Sequence, residues 1–193
     1  MKVIAINGGP RKNWNTATLL NSALEGAASR GASTEIVHLY DLDFKGCTSC
    51  FACKLRGGTS YGKCALRDEL TPILEKIEGA DAFFIGSPIY FGNVAGETRS
   101  FMERLLFQYL VYARKDRSLA QKKQVGLIFT RNLSDSMAKE RGYDLVFDST
   151  ARSFKIIFGS AEIISSTDTL QFEDYSKYVA SLFNVAEKKR RRE

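Results

Sequence analysis

Four cysteines stand at positions 47, 50, 53 and 64 of a 193-residue chain, and no others occur. Cys47-x-x-Cys50-x-x-Cys53, then ten residues and Cys64, is a compact thiol set. Four thiolates so spaced can hold a four-iron cluster or a tetrahedral zinc, or can remain reduced thiols in a loop. Their clustering argues against a disulfide framework. A second chemistry-bearing stretch is residues 7–16, Asn-Gly-Gly-Pro-Arg-Lys-Asn-Trp-Asn-Thr, which follows a short apolar run. Glycines there permit a tight turn and close approach of backbone N–H groups to an anion. A helix beginning at its end adds unpaired N–H donors and a partial positive charge. Arg11 can add a charge-assisted hydrogen bond to a phosphate, and Asn15 and Thr16 further ones. An ordinary strand-to-helix turn capped by Asn15 is the plainer alternative, but it needs neither this length nor this density of donors. Neither Gly-x-Gly-x-x-Gly nor Gly-x-x-x-x-Gly-Lys-Ser/Thr occurs, which disfavours a dinucleotide-type site and a nucleoside triphosphatase.

These loops need elements to hold them. Short β-rich runs at residues 3–6, 35–40, 82–86, 124–130 and 161–165 alternate with helical patterns. The helices are expected over 17–29, around Leu70, Ile73, Leu74 and Ile77, and over 96–112, 143–157 and 174–190. Alternation of this kind implies parallel pairing through right-handed crossovers, hence a three-layer α/β sandwich around a five-stranded parallel sheet. Ligands of such sheets bind beyond the carboxyl ends of the strands, which narrows the search to loops 7–16, 87–96 and 130–142. One domain over 1–193, with a cysteine-rich insertion at 46–64, is the expected organisation.

Residues 7–16 resemble the Asn-Gly-Ser-Pro-Arg-x-x-Gly-Asn-Thr loop of the NADPH-dependent FMN reductase and iron–sulfur flavoprotein family, within the flavodoxin-like superfamily. Gly9 stands where that loop carries serine, and Trp14 where it carries glycine. The run Gly86-Ser87-Pro88-Ile89-Tyr90-Phe91-Gly92-Asn93-Val94-Ala95-Gly96 resembles the family's Gly-Ser/Thr-Pro-x-Tyr-Phe-x-x-x-x-Gly loop. Arg99-Ser100-Phe101-Met102-Glu103-Arg104 after it resembles a Lys-x-Phe-x-Asp-Arg helix. The resemblance implies strand order 2-1-3-4-5 and FMN as cofactor. Its phosphate would lie on Gly9, Arg11, Asn15 and Thr16, and its ring against Pro88, Ile89, Tyr90, Phe91, Gly92 and Asn93. Thr130, Arg131 and Asn132 correspond to a third loop near the flavin. A flat aromatic wall with a few backbone donors suits such a ring on physical grounds as well.

For the cysteines, reduced thiols that cover the flavin or pack at an interface are favoured. An iron–sulfur cluster on Cys47, Cys50, Cys53 and Cys64 is the alternative, and zinc ranks below it. The net charge of +6 does not suggest nucleic acid, because residues 188–193 (Lys-Lys-Arg-Arg-Arg-Glu) supply most of it and no groove-reading module accompanies them. No apolar run approaches the length that spans a bilayer, and the chain enters its first strand without a leader, so a cytoplasmic protein is expected. His38, the only histidine, has no nucleophile elbow to serve. Asp68 and Glu69 read as helix-start residues. Phe107, Tyr109 and Tyr112 read as plain core or, from their density on one helix, as part of a homodimer interface. The expected function is NAD(P)H oxidation through FMN to a small acceptor such as a flavin or quinone. An electron carrier of the iron–sulfur flavoprotein type is the alternative.

Overall fold

The computed structural model describes residues 1–179. Five parallel strands form the sheet in the order β2-β1-β3-β5-β6: β1 (Lys2–Asn7), β2 (Ser33–His38), β3 (Ala82–Tyr90), β5 (Gln124–Thr130) and β6 (Glu162–Ser166). A two-residue strand, β4 (Asn93–Val94), folds back antiparallel on β3. It makes β3 longer than the sequence pattern suggests, and numbering it turns the expected order 2-1-3-4-5 into 2-1-3-5-6 with the same topology.

The pleat sorts each strand's side chains into two cores. On one face Val3 and Ala5 of β1 and Ile128 of β5 pack under Leu20 and Leu24 of α1 (Asn15–Ala28). On the other, Ile4, Ile6, Phe83, Ile85, Leu127 and Phe129 meet three helices. These are α2 (Thr71–Glu78), α3 (Gly96–Tyr109) and α5 (Tyr143–Phe158). A short helix, α4 (Asp135–Glu140), precedes α5 and starts on a Ser134 hydroxyl that accepts the Met137 N–H. The architecture is the flavodoxin-like α/β sandwich.

Gly86 sets how close α1 comes to the sheet. A Cβ at Gly86 would sit 2.7 Å from Leu20 Cδ1 and 2.8 Å from Thr16 Cγ2. The hydrogen at that position lets the first turn of α1 rest directly on β3.

Several expectations change. The closing helix over 174–190 falls largely outside the described residues, and its first part is a single 3-10 turn at Tyr175–Lys177. Asn15 does not cap α1; it lies inside the helix and its amide bonds elsewhere. Asp68 does accept the Leu70 N–H at 3.1 Å, but it also pairs with Arg104 of α3. Tyr109 points into the core, where burial pushes its phenol up to about 12, whereas Tyr112 is exposed. Phe107, Tyr109 and Tyr112 therefore do not form one surface patch.

Candidate functional site

At the carboxyl edge of the sheet, the loop after β1, the end of β3 and the end of β5 converge on one cleft. Gly9, Arg11, Asn15, Thr16, Pro88, Ile89, Tyr90 and Thr130 all line it. Phe91, Gly92 and Asn93 do not; Phe91 and Gly92 form the turn between β3 and β4, and Asn93 opens β4. There Phe91 (φ 50°) and Gly92 (φ 82°) take left-handed conformations, and the Phe91 ring is fully exposed.

Buried hydrogen bonds fix the loop after β1. Gly8 donates its N–H to the Gly86 carbonyl at 2.8 Å, and Gly9 donates to Asn7 Oδ1 at 3.0 Å. The Asn7 amide in turn donates to His38 Nδ1 at 3.0 Å, which assigns the imidazole as a neutral acceptor. Burial pushes the His38 pKa down, with Asp41 opposing and Lys12 assisting. Thr16 and Thr130 share a 2.7 Å hydroxyl–hydroxyl bond that ties α1 to β5. Asn7 and His38 have no direct place in the cleft, and no sequence signal separates Asn7 from the glycines beside it.

The side chains that carried the phosphate expectation are engaged by a strap of chain that follows β6. Arg11 Nη1 donates to the Gln171 carbonyl at 2.8 Å and stacks on Trp14, 4.0 Å from its ring centroid. Trp14 Nε1 and Asn15 Nδ2 both donate to the Leu170 carbonyl, at 3.0 and 2.8 Å. Trp14 adopts an ordinary extended backbone (φ −128°), so an indole is accommodated where the family loop has glycine. Gly9 likewise does without the serine side chain; a Cβ there would lie 3.2 Å from Asn7 Oδ1.

The first turn of α1 is suited to an anion. Asn15, Thr16 and Ala17 are buried, no side chain caps the helix start, and no acidic residue stands in its first turn. A buried, uncapped helix N-terminus offers N–H donors that an anionic ligand oxygen can meet. Arg131, just beyond β5, lines the same cleft and is itself buried.

The four cysteines line a separate small cavity against α3. Cys53 is buried, Cys47 and Cys64 are half-buried, and Cys50 is exposed. Burial pushes the Cys53 thiol up, while the neighbouring Lys54 charge pulls it down. Lys54 donates to the carbonyls of Phe107, Gln108 and Leu110, holding the cysteine loop on the end of α3. Ser49 (φ 54°) and Phe51 (φ 57°) occupy left-handed conformations between the cysteines. The donor set is right for a cluster, and all four thiols line the one cavity. Among the described residues, no three Cys, His, Asp or Glu side chains stand close enough together to hold a metal ion.

Residues 1–139 match the family described as NADPH-dependent FMN reductase. The chain belongs to that family. An iron–sulfur flavoprotein of Methanocaldococcus jannaschii is 39% identical over 104 residues, covering 54% of this chain and 51% of the relative. One from Archaeoglobus fulgidus is 41% identical over 104 residues, covering 54% and 48%. The chain thus spans about half the length of these curated relatives. Among solved structures, an NAD(P)H:quinone oxidoreductase from Methanothermobacter marburgensis is similar at TM-score 0.70. It is 17% identical, with 91% of this chain and 88% of that one covered, a likeness of fold alone. FMN is the cofactor of the FMN reductase family, with a reduced nicotinamide as co-substrate. The uncapped start of α1 and the cleft beside it fit that cofactor.

Proposed function

We propose that this protein is an FMN-dependent NAD(P)H oxidoreductase that hands electrons to a small acceptor such as a free flavin or a quinone. One observation carries the reading: loops far apart in sequence close a single cleft at the carboxyl edge of the sheet, beside a buried and uncapped helix start. When bound, FMN would accept hydride from the nicotinamide and pass the electrons on, so no side-chain acid or base is needed. The chain's task is to bind and orient. The amides at the start of α1, with Gly9, Asn15 and Thr16, would hold the phosphate, and Arg11 would add charge at the rim. Pro88, Ile89 and Tyr90 would form the wall against the ring, with Thr130 closing the far side. The turn at Phe91, Gly92 and Asn93 would meet the ring or substrate from outside the cleft. A single domain, a cytoplasmic location and a homodimer complete the proposal. No helix among the described residues is long and apolar enough to cross a membrane.

The test is spectroscopic. Apoprotein loaded with FMN should show bound-flavin bands that bleach anaerobically on addition of NADPH or NADH and return with a quinone. Failure to take up FMN would sink the reading.

A second reading, an electron carrier with an iron–sulfur cluster, draws on the four cysteines that share one cavity. Iron and acid-labile sulfide in anaerobically purified protein, with absorption beyond the flavin bands, would favour this reading. Their absence would exclude it.

A further inference from the structure

Arg104 of α3 stands beside the thiols with its side chain 0% exposed, and each of its nitrogens has an acceptor. Nη1 donates to the Lys45 carbonyl at 3.2 Å and to Asp68 Oδ2 at 2.5 Å, and Nη2 donates to the Leu66 carbonyl at 3.4 Å. Lys45 and Leu66 flank the cysteine segment on either side, so one guanidinium closes the base of the loop that carries all four thiols. Nε donates to Cys64 Sγ at 3.3 Å.

Gln108, one turn further along α3 and likewise buried, accepts the Cys64 N–H on Oε1 at 2.9 Å. Cys64 is thus held at its backbone and at its sulfur by two side chains on one face of the same helix. Asp68 and the two carbonyls are the partners expected of a structural guanidinium. The bond to sulfur is of another kind. A neutral thiol is a weak acceptor, and a buried cation gains little from it. A thiolate bound to iron carries negative charge and answers a charged donor, and hydrogen bonds to sulfur are among the features that set a cluster's potential. Among the described residues lining the cysteine cavity, Arg104 is the one cation.

We propose that Arg104 is the positioning residue of Cys64, donating its Nε–H to that sulfur as a cluster ligand and raising the reduction potential of the cluster. The inference rests on the second reading, in which the four cysteines hold a four-iron cluster, and gives a role within it to a residue that is not a ligand. Reduction adds negative charge to the cluster, and a fixed N–H with a positive charge beside a ligand sulfur favours the reduced state. Asp68 works against this, because its carboxylate offsets the guanidinium charge. The two residues therefore push the potential in opposite directions.

The first test needs no variant. Wild-type protein is purified anaerobically with arginine carrying the heavy nitrogen isotope and is chemically reduced. Pulsed electron paramagnetic resonance should then show the labelled nitrogen coupled to the paramagnetic cluster. Among the described residues Arg104 is the one arginine against the cysteine cavity, so the coupling reports on it, and the result stands even if a substitution prevents folding. In the second test, Arg104→Met should move the midpoint potential of the cluster to more negative values, and Asp68→Asn to less negative ones. A role confined to packing would not produce shifts of opposite sign. A reduced wild-type cluster without arginine coupling, or variants whose potentials stay in place or move the same way, overturns the proposal. Wild-type protein that holds neither iron nor sulfide after anaerobic reconstitution removes the cluster reading itself, a separate failure that shows before any potential is measured.

Discussion

At the scale of single residues, the contacts with most at stake are polar groups held away from water. Arg104 keeps its charge in the interior because Asp68 and two carbonyls answer it. Against the upward pull of burial, the hydrogen bond and charge of Arg104 hold the Asp68 carboxyl below its ordinary range. Asp68→Asn would leave that guanidinium without its counter-charge, at an expected cost of about 3 kcal/mol, to be read from the urea midpoint. His38 gives a second prediction. Its pKa is lowered by burial, so between the folded value and about 6.5 the unfolded chain binds more protons than the folded one. Stability is therefore full above about pH 6.5 and declines as pH falls through that window. Protonation would also remove the acceptor for Asn7, which anchors Gly9. Chemical denaturation between pH 5 and 7 should show this slope in wild type and a flatter one in His38→Gln.

At the scale of elements, the site depends on how closely α1 lies on the sheet. Gly86→Ala inserts a methyl group within 2.8 Å of Leu20 and Thr16, and neither side chain has free space to yield into. Overpacking of this kind costs about 1–3 kcal/mol. Because Thr16 also bonds Thr130, the displacement should pass to the cleft. The expected outcome is a lower melting temperature together with weaker FMN binding, whereas Gly96→Ala, where a Cβ meets nothing within 4 Å, should change neither. The strap after β6 belongs to the same scale. It crosses from the far edge of the sheet to the β1 loop and fixes Arg11, Trp14 and Asn15 through two carbonyls, so the loop's side chains are set by residues more than 150 positions away.

For the whole molecule, FMN binding and folding are linked. A ligand that binds only the folded state at about a hundred times its dissociation constant adds about 2.7 kcal/mol. The melting temperature should therefore rise with FMN concentration and level off only slowly. A melting temperature that ignores FMN would argue against the cleft as its site. The cysteine loop is bound to α3 through Lys54 and Arg104 rather than to the cleft, so replacing Cys50 should leave this response intact.

Much of this was legible in the sequence by itself. Buried parallel strands read as continuous apolar runs, so the five main strands, the sandwich and the three loops at its carboxyl edge could be located by pattern. The Gly86–Gly96 and Asn7–Thr16 runs carried enough of a family's spacing to point to FMN. Tertiary structure decided the rest. Pairing of β4 on β3 turned Phe91, Gly92 and Asn93 away from the cleft lining, and the strap took up Arg11 and Asn15. Only the folded chain distinguishes Arg104, whose donors are all met, from Arg131, whose donors are not. Periodicity and local propensity report which face a residue turns to its own element. Whether a buried donor finds an acceptor depends on segments that meet only when the sheet is built.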